Sequence, residues 1–373
     1  MRPFGGRVPP TRLPNVPAGQ ALRYDNRSGG RQPAVPGENT MLRSIATVFT
    51  FAAALPVLGE SLNHTTGTQG LLLIDKLGGH VRFFDPTTLA ERSSLELPKN
   101  PHDFALSPDH RFAYVPIYGP GIYNRNPEPG HEIYVLDLVE RKVANVIDLS
   151  PYRSPHGVQI DARGMLYVTA ELDRKILVID SRMGRIVDTI DHEGSGHWLA
   201  VLPDGSKAYV ANKDDKLFVT VLDLETHKQV GSVPMPRGTQ GITASPDGKR
   251  VIALDLSRPE MTVIDTATDA VLDRIALANT ADPAYKAYYS PDGKWLLTMA
   301  GSSISIFDAA NLRAPQRTLT VGASPMGIAF SADGKTALVA NHGDGTVSAL
   351  DIATATVTKN FKAGTGIETL TYY

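Results

Sequence analysis

The feature that most limits what this chain can become is a hydrophobic strand ending in aspartate that returns at a near-constant interval. The strings "RFFD", "YVLD", "LVID", "TVLD", "TVID", "SIFD" and "SALD" place Asp85, Asp137, Asp180, Asp223, Asp265, Asp308 and Asp351 at spacings of 52, 43, 43, 42, 43 and 43 residues. Between them fall turn strings: "SPDH" at 107, "DARG" at 161, "LPDG" at 202, "SPDG" at 245 and 290, and "SADG" at 331. Their Pro, Asp and Gly reverse a strand tightly. Four short strands fit each interval: an inner one such as "GITAS", a second such as "KAYVAN" after the turn, a third such as "VTVLD" and an outer one such as "KQVGSV". Four strands in about 43 residues is the signature of a propeller blade. The pattern predicts an all-β chain, a seven-bladed β-propeller of four-stranded blades.

The ends of the repeat predict how the ring closes. There are seven Asp anchors but six turn strings, because no inner strand precedes the anchor at Asp85. The missing strand is at the other terminus, in "GIETLTYY". The last blade should therefore pair the C-terminal strand with N-terminal strands around "LLLID", "HVRFFD" and "RSSLEL", which removes the free sheet edges of an open array.

The propeller is expected over 60–373. Residues 1–40, with strings such as "GGRVPPTRLPNVPAGQ", carry little apolar periodicity and read as a disordered or untranslated leader. From Met41 the text changes to "MLRSIATVFTFAAALPVLGES", with one Arg, an apolar run over 45–55 and a small residue at Gly59. That is the layout of a signal peptide over 41–59, too short to span a bilayer comfortably. Its expected consequences are a periplasmic or secreted protein, mature from Glu60, without a membrane anchor after cleavage. A formal net charge of -2 supplies no basic field for nucleic acid. The chain has no Cys, which excludes disulfides, thiolate metal sites, covalent c-type haem and a lipidated Cys. Any metal must be held by nitrogen and oxygen.

"YVTA" at 167–170, "YVAN" at 209–212 and "LVAN" at 338–341, together with the "SPDG" and "VID" strings, resemble the YVTN-type (YncE-like) propeller repeat of periplasmic proteins. The likeness covers 70–373 and is similar, more weakly, to the haem d1-type propeller domain. The resemblance implies the seven-bladed fold and an extracytoplasmic setting. It leaves the activity open, because this fold hosts binding scaffolds and enzymes alike.

Function is to be sought where the repeats differ. The residue five places before each turn string is His102, His156, His197, Gln240, Tyr285 and Met326, with Glu368 equivalent in the final strand. The resemblance places this column near the central axis, on the face of the blade-to-blade loops. Going round the ring, Glu368, His102, His156 and His197 are consecutive, a candidate metal-binding arc for Cu, Fe or Zn. The weaker resemblance implies a haem d1-like macrocycle on one axial His instead. A protein with no cofactor is the alternative: each His shares strand parity with apolar residues, Phe104 and Leu106, Val158 and Ile160, Leu199 and Val201, and on that parity packs between blades.

The loops after each second strand align Asp75, Glu171, Asn212, Asp255 and Asn341. The Asn residues belong to the repeat and should fix a turn, whereas Glu171 and Asp255 depart from it and become ligand-contact candidates. The enlarged first repeat holds an insertion, "IYGPGIYNRNPEPGH" at 117–131, suited to a lid from which Tyr118, Tyr123, Arg125 and His131 reach toward the His column. Three readings follow. One is a metal or cofactor site of His102, His156, His197 and Glu368, with His102, His156, His197 and Glu171 as catalytic candidates and the remaining column residues Gln240, Tyr285 and Met326 contacting a small-molecule ligand. Another is a non-catalytic scaffold for a periplasmic protein, peptide or polymer. The third is metal-independent lactonase-like hydrolysis by Arg153 or Arg237 with Glu171. The chain is expected to act as a monomer.

Overall fold

The computed structural model describes residues 68–373 apart from Lys99, Ala278 and Asn279. The expected leader and signal peptide lie outside the described residues. Seven four-stranded antiparallel sheets form, six from contiguous chain. The first complete one runs through Ala105–Leu106, Phe112–Ile117, Glu132–Asp137 and Lys142–Asp148. In the seventh, Ile367–Tyr372 pairs with Leu71–Asp75, setting Tyr372 opposite Leu71 and Ile367 opposite Asp75, and His80–Phe84 and Glu91–Glu96 complete the sheet. The expected closure by the C-terminal strand is therefore the observed one. Gln69 and Gly70 also donate to the carbonyl of Tyr373, tying the two ends together.

Seven hydrophobic clusters fill the seven joints between neighbouring blades. The middle strands make this possible because successive residues face opposite sides of a sheet. In Lys207–Ala211, Ala208 and Val210 pack toward the preceding blade while Tyr209 packs toward the next. Outer strands such as Lys142–Asp148 are mostly exposed.

The recurring aspartate closes the turn into the outer strand. Asp85 accepts from the N–H groups of Thr87 and Thr88, Asp137 from Val139 and Glu140, and Asp223 from Glu225 and Thr226. This is the side-chain turn that Asp makes more readily than an apolar residue, so the most regular letter of the repeat has a structural role.

Candidate functional site at the propeller axis

Each inner strand enters its blade through a bulge placed at the column residue. Pro155 pairs with Ala170 and Val158 with Val168, leaving one extra residue on the inner strand between them. The same register shift follows Thr239, Ala284 and Pro325, and it falls between Ile367 and Thr369 in the closing blade. At His102 the flanking pairs are Pro101 with Ile117 and Ala105 with Tyr114, again one residue in excess. A bulge re-aims the side chain it carries. Strand parity therefore does not run through from His156 to Val158, and the column residue is released from the blade-to-blade core that Val158 joins. Glycine follows the column in three blades because neighbouring inner strands nearly touch there: a Cβ on Gly157 would lie 2.7 Å from the carbonyl oxygen of His197, and one on Gly241 2.4 Å from that of Tyr285.

Three imidazoles from successive blades meet as a result. Ring centroids of His102 and His156 are 4.0 Å apart, and those of His156 and His197 are 3.8 Å apart. His156 is 1% exposed; its Nδ1 lies 3.1 Å from the carbonyl oxygen of His197, and its buried Nε2 has no hydrogen-bond partner. A ring that donates Nδ1–H to a carbonyl presents an Nε2 lone pair. His197 Nδ1 is 2.5 Å from Glu171 Oε1, and the hydroxyl of Tyr118 donates to Glu171 Oε2 at 2.6 Å. One donor atom from each of His156, Glu171 and His197 lies within 4.8 Å of the other two, all three residues being buried. Burial pushes the Glu171 carboxyl up to about 8, against the hydrogen bond from Tyr118 and the charge of Lys213. Burial also drives all three imidazoles well below their ordinary range, helped by one another and by the nearby lysines.

His102 and Glu368 stand beside this group in a different environment. Lys76 Nζ lies 2.9 Å from His102 Nε2 and 3.5 Å from Glu368 Oε1, and His102 Nδ1 lies 3.5 Å from the same oxygen. His342 Nδ1 lies 2.9 Å from Glu368 Oε2. Burial raises the Glu368 carboxyl, but His342, Lys76 and Lys286 together outweigh it and hold the group below its usual range. The axial arc therefore divides into a His/Glu/Tyr half, which offers unengaged lone pairs, and a Lys/Glu half, in which an ammonium already sits between His102 and Glu368.

The insertion lies over the first half. Tyr118 presents its ring edge to His102 and His156 at 5.6 and 5.4 Å, and Tyr123 does the same to His197 at 5.2 Å. The Tyr123 hydroxyl is placed 2.8 Å from both Ser195 O and Asn212 O, pinning the loop across two blades. Arg125 and His131 face solvent. Among the other candidates, Gln240, Tyr285 and Met326 occupy the column in the remaining blades and are half-buried.

The repeat asparagines do fix turns, Asn212 by donating to Phe218 O and Thr220 Oγ1, and Asn341 by donating to Thr346 Oγ1 and Ser348 Oγ. Asp255 has a similar structural role, accepting from the N–H groups of Ser257 and Arg258 and pairing with Arg237 at 2.8 Å. Arg237 also pairs with Glu260, and Arg153 pairs with Asp173 on the exposed rim. Neither guanidinium meets Glu171.

The residue after each column position, which the repeat alignment alone does not single out, also matters. Asp103, Trp198, Lys286 and Thr369 occupy that next position in their blades and project away from the His layer into a channel that opens among the hairpin turns at Pro108–His110, Pro291 and Ala332. Trp198 underlies the imidazoles, 4.4 Å from the His156 ring, and the Lys286 ammonium sits 3.4 Å from the Trp198 ring centroid on the channel side. A second column, read in the same way as the first, carries this signal.

Fold and site together define a seven-bladed β-propeller with a His/Glu group at its axis. No protein-family model matches the chain, and no curated protein matches it. Among solved structures, hydrazine synthase of Kuenenia stuttgartiensis is similar, with a TM-score of 0.59 and 18% sequence identity, covering 72% of this chain and 88% of that one. At that identity the likeness carries the fold alone.

Proposed function

We propose that this chain is an exported β-propeller, of YVTN type, that holds one transition-metal ion at its axis through His156, His197 and Glu171. Small molecules would reach the ion beneath the lid of residues 117–131. The observation that carries the reading is the Nε2 of His156: buried, without a partner, on a ring whose other nitrogen faces a fixed carbonyl. A buried polar atom left unpaired costs about 1–3 kcal/mol, and coordination would remove that cost. Two imidazoles and a carboxylate suit Zn, Cu or Fe and leave positions for water or substrate. His197, oriented by a carboxylate that is itself held by Tyr118, has the partner arrangement that metal-ligating histidines use. A flat macrocycle fits poorly, because aromatic rings crowd the His layer from both sides with centroids at 4.4 to 5.7 Å. An ion is therefore preferred to a haem-like cofactor.

The test is elemental analysis and an absorption spectrum of protein isolated from the periplasmic fraction without chelator. About one equivalent of Cu, Fe or Zn, lost in His156→Ala and in His197→Ala, is the expected result. Metal-free protein that takes up none of these ions when they are added would remove the metal and leave an interaction scaffold. The N-terminal mass of the same preparation tests export, with cleavage before Glu60 expected and an uncleaved leader opposing it.

A further inference from the structure

The channel on the opposite side of Trp198 is a site of its own. It has a volume of about 1020 Å³, at the upper end of what small-molecule pockets enclose. The way it is made is visible in the sequence: Gly157, Gly241 and Gly327 withhold side chains at three of the positions after the column, while Asp103, Trp198, Lys286 and Thr369 fill the others as a floor. Aromatic rings of Phe104, Tyr288, Tyr289 and Phe330 stand on the walls above.

The floor carries a cation that the fold leaves incompletely paired. Lys286 is 6% exposed, and no carboxylate comes within ion-pair distance of its ammonium among the described residues. Burial lowers the pKa of this amine, but Tyr288, Asp103 and Glu368 outweigh burial and hold it above the usual lysine range. Its near partners are the Tyr288 hydroxyl and the π face of Trp198, the latter a cation–π contact. Neither brings the full negative charge that a hydrogen-bonded carboxylate would supply. The Tyr289 hydroxyl, also on the wall, is buried and unpartnered.

We propose that this channel binds an organic carboxylate with a flat aromatic body, the carboxylate on the Lys286 ammonium and the body between the tyrosine and phenylalanine walls. A phosphate is disfavoured, since recognition of that dianion draws on arginine forks or several N–H donors and the floor offers one point charge. Asp103 stands at the same level and repels the incoming anion, so it limits affinity. The site does not depend on a metal above Trp198.

The probes are biphenyl-4-carboxylate and biphenyl-4-carboxamide, titrated calorimetrically into the full chain. The acid is expected to bind about tenfold more tightly than the amide, as one charge-assisted contact warrants. Lys286→Met should erase that preference, Lys286→Arg should keep it, and Asp103→Asn should tighten the acid several-fold. The chain has two tryptophans, so Trp295→Phe leaves Trp198 alone as a reporter. Its emission should shift with the acid and much less with the amide, a measurement that stands even if Lys286→Met does not fold. Equal binding of acid and amide, no binding of either, or acid binding unaffected by Lys286→Met in folded protein would each overturn the assignment.

Discussion

Removing the Tyr118 hydroxyl tests whether the axial His/Glu group is a pre-organised unit. Tyr118 is 2% exposed, and its ring packs edge-on against His102 and His156, so Tyr118→Phe preserves the shape and deletes one oxygen. That oxygen is the donor to Glu171 Oε2 at 2.6 Å, while Oε1 is held by His197. Glu171 is 0% exposed, so the orphaned oxygen cannot turn to solvent and bears most of its desolvation penalty, about 2 kcal/mol. Urea unfolding followed by tryptophan fluorescence should show a lower midpoint at unchanged slope, equivalent to roughly thirtyfold in the folded-to-unfolded ratio. In a Glu171→Gln background the same change should cost about 1 kcal/mol less, because the two groups share one contact. A Tyr118→Phe protein within about 0.5 kcal/mol of the parent, with no coupling to Glu171→Gln, would refute the claim that Tyr118 fixes the carboxylate.

Three further outcomes follow from the fold. Gly157→Ala pushes a methyl to 2.7 Å from the carbonyl oxygen of His197, so the inner strands must part at a cost of about 1–3 kcal/mol and the His156 contact is lost with them; an unchanged urea midpoint would oppose this. Deleting Ile367–Tyr373 removes the strand that pairs with Leu71–Asp75, and circular dichroism melting should show loss of the cooperative transition, regained on adding a peptide of that sequence; a stable truncated protein would mean that the ring does not need its closure. Asp85, Asp223 and Asp351 are held below the ordinary carboxylate range chiefly by turn N–H groups, and Asp292 and Asp333 are lowered to about 2 chiefly by hydrogen bonds from Lys294 and Ser290 and from Ser331. Depressed carboxylate values stabilise above the unfolded pKa and cease to as pH falls through them. The buried imidazoles of His102, His156 and His197, held below their usual range, favour the unfolded chain once pH falls below about 6.5. Melting temperature should therefore begin to fall at about pH 6 and continue to fall between about pH 4 and 2; a flat profile to pH 2 would contradict the turn assignment.

The fold was legible because its strongest sequence signals act locally. Each Asp anchor closes a turn within three residues of itself, and each "PDG" string reverses the chain on the spot, so both could be counted without tertiary information. Closure was legible because "GIETLTYY" lacks a turn string and the N-terminal repeat lacks an inner strand. The column of His102, His156 and His197 could also be aligned, but what each ring does could not. Their strand parity pointed into the core, and only the bulge, which depends on how an inner strand pairs with its neighbour, separates His156 from Val158. The role of Lys76 at His102 and Glu368 depends on a residue 26 positions away and on ring closure, which no local pattern encodes. Glu171 was found as a departure from the repeat asparagine. Its extra methylene, relative to the Asp that fixes the turn at Asp255, is what lets its carboxylate leave the turn and meet His197.

The repeat and its exceptions thus separate by position along each inner strand. Residues that recur, the Asp anchors and turn asparagines, direct their hydrogen bonds to turns inside one blade. The two columns at the mouth of the inner strand have no such turn-fixing role, and there the blades diverge in chemistry. One column assembles imidazoles and carboxylates on the loop face, the next a tryptophan and an ammonium on the turn face, and Trp198 is the partition between them. An anion that drew Lys286 off the indole ring would relieve one side of that partition while His156 packs on the other. Trp198→Phe, which retains a ring but weakens the cation–π contact, should therefore alter carboxylate binding in the channel while leaving the metal content of the His/Glu group unchanged, whereas loss of both together would show that the two faces form a single site.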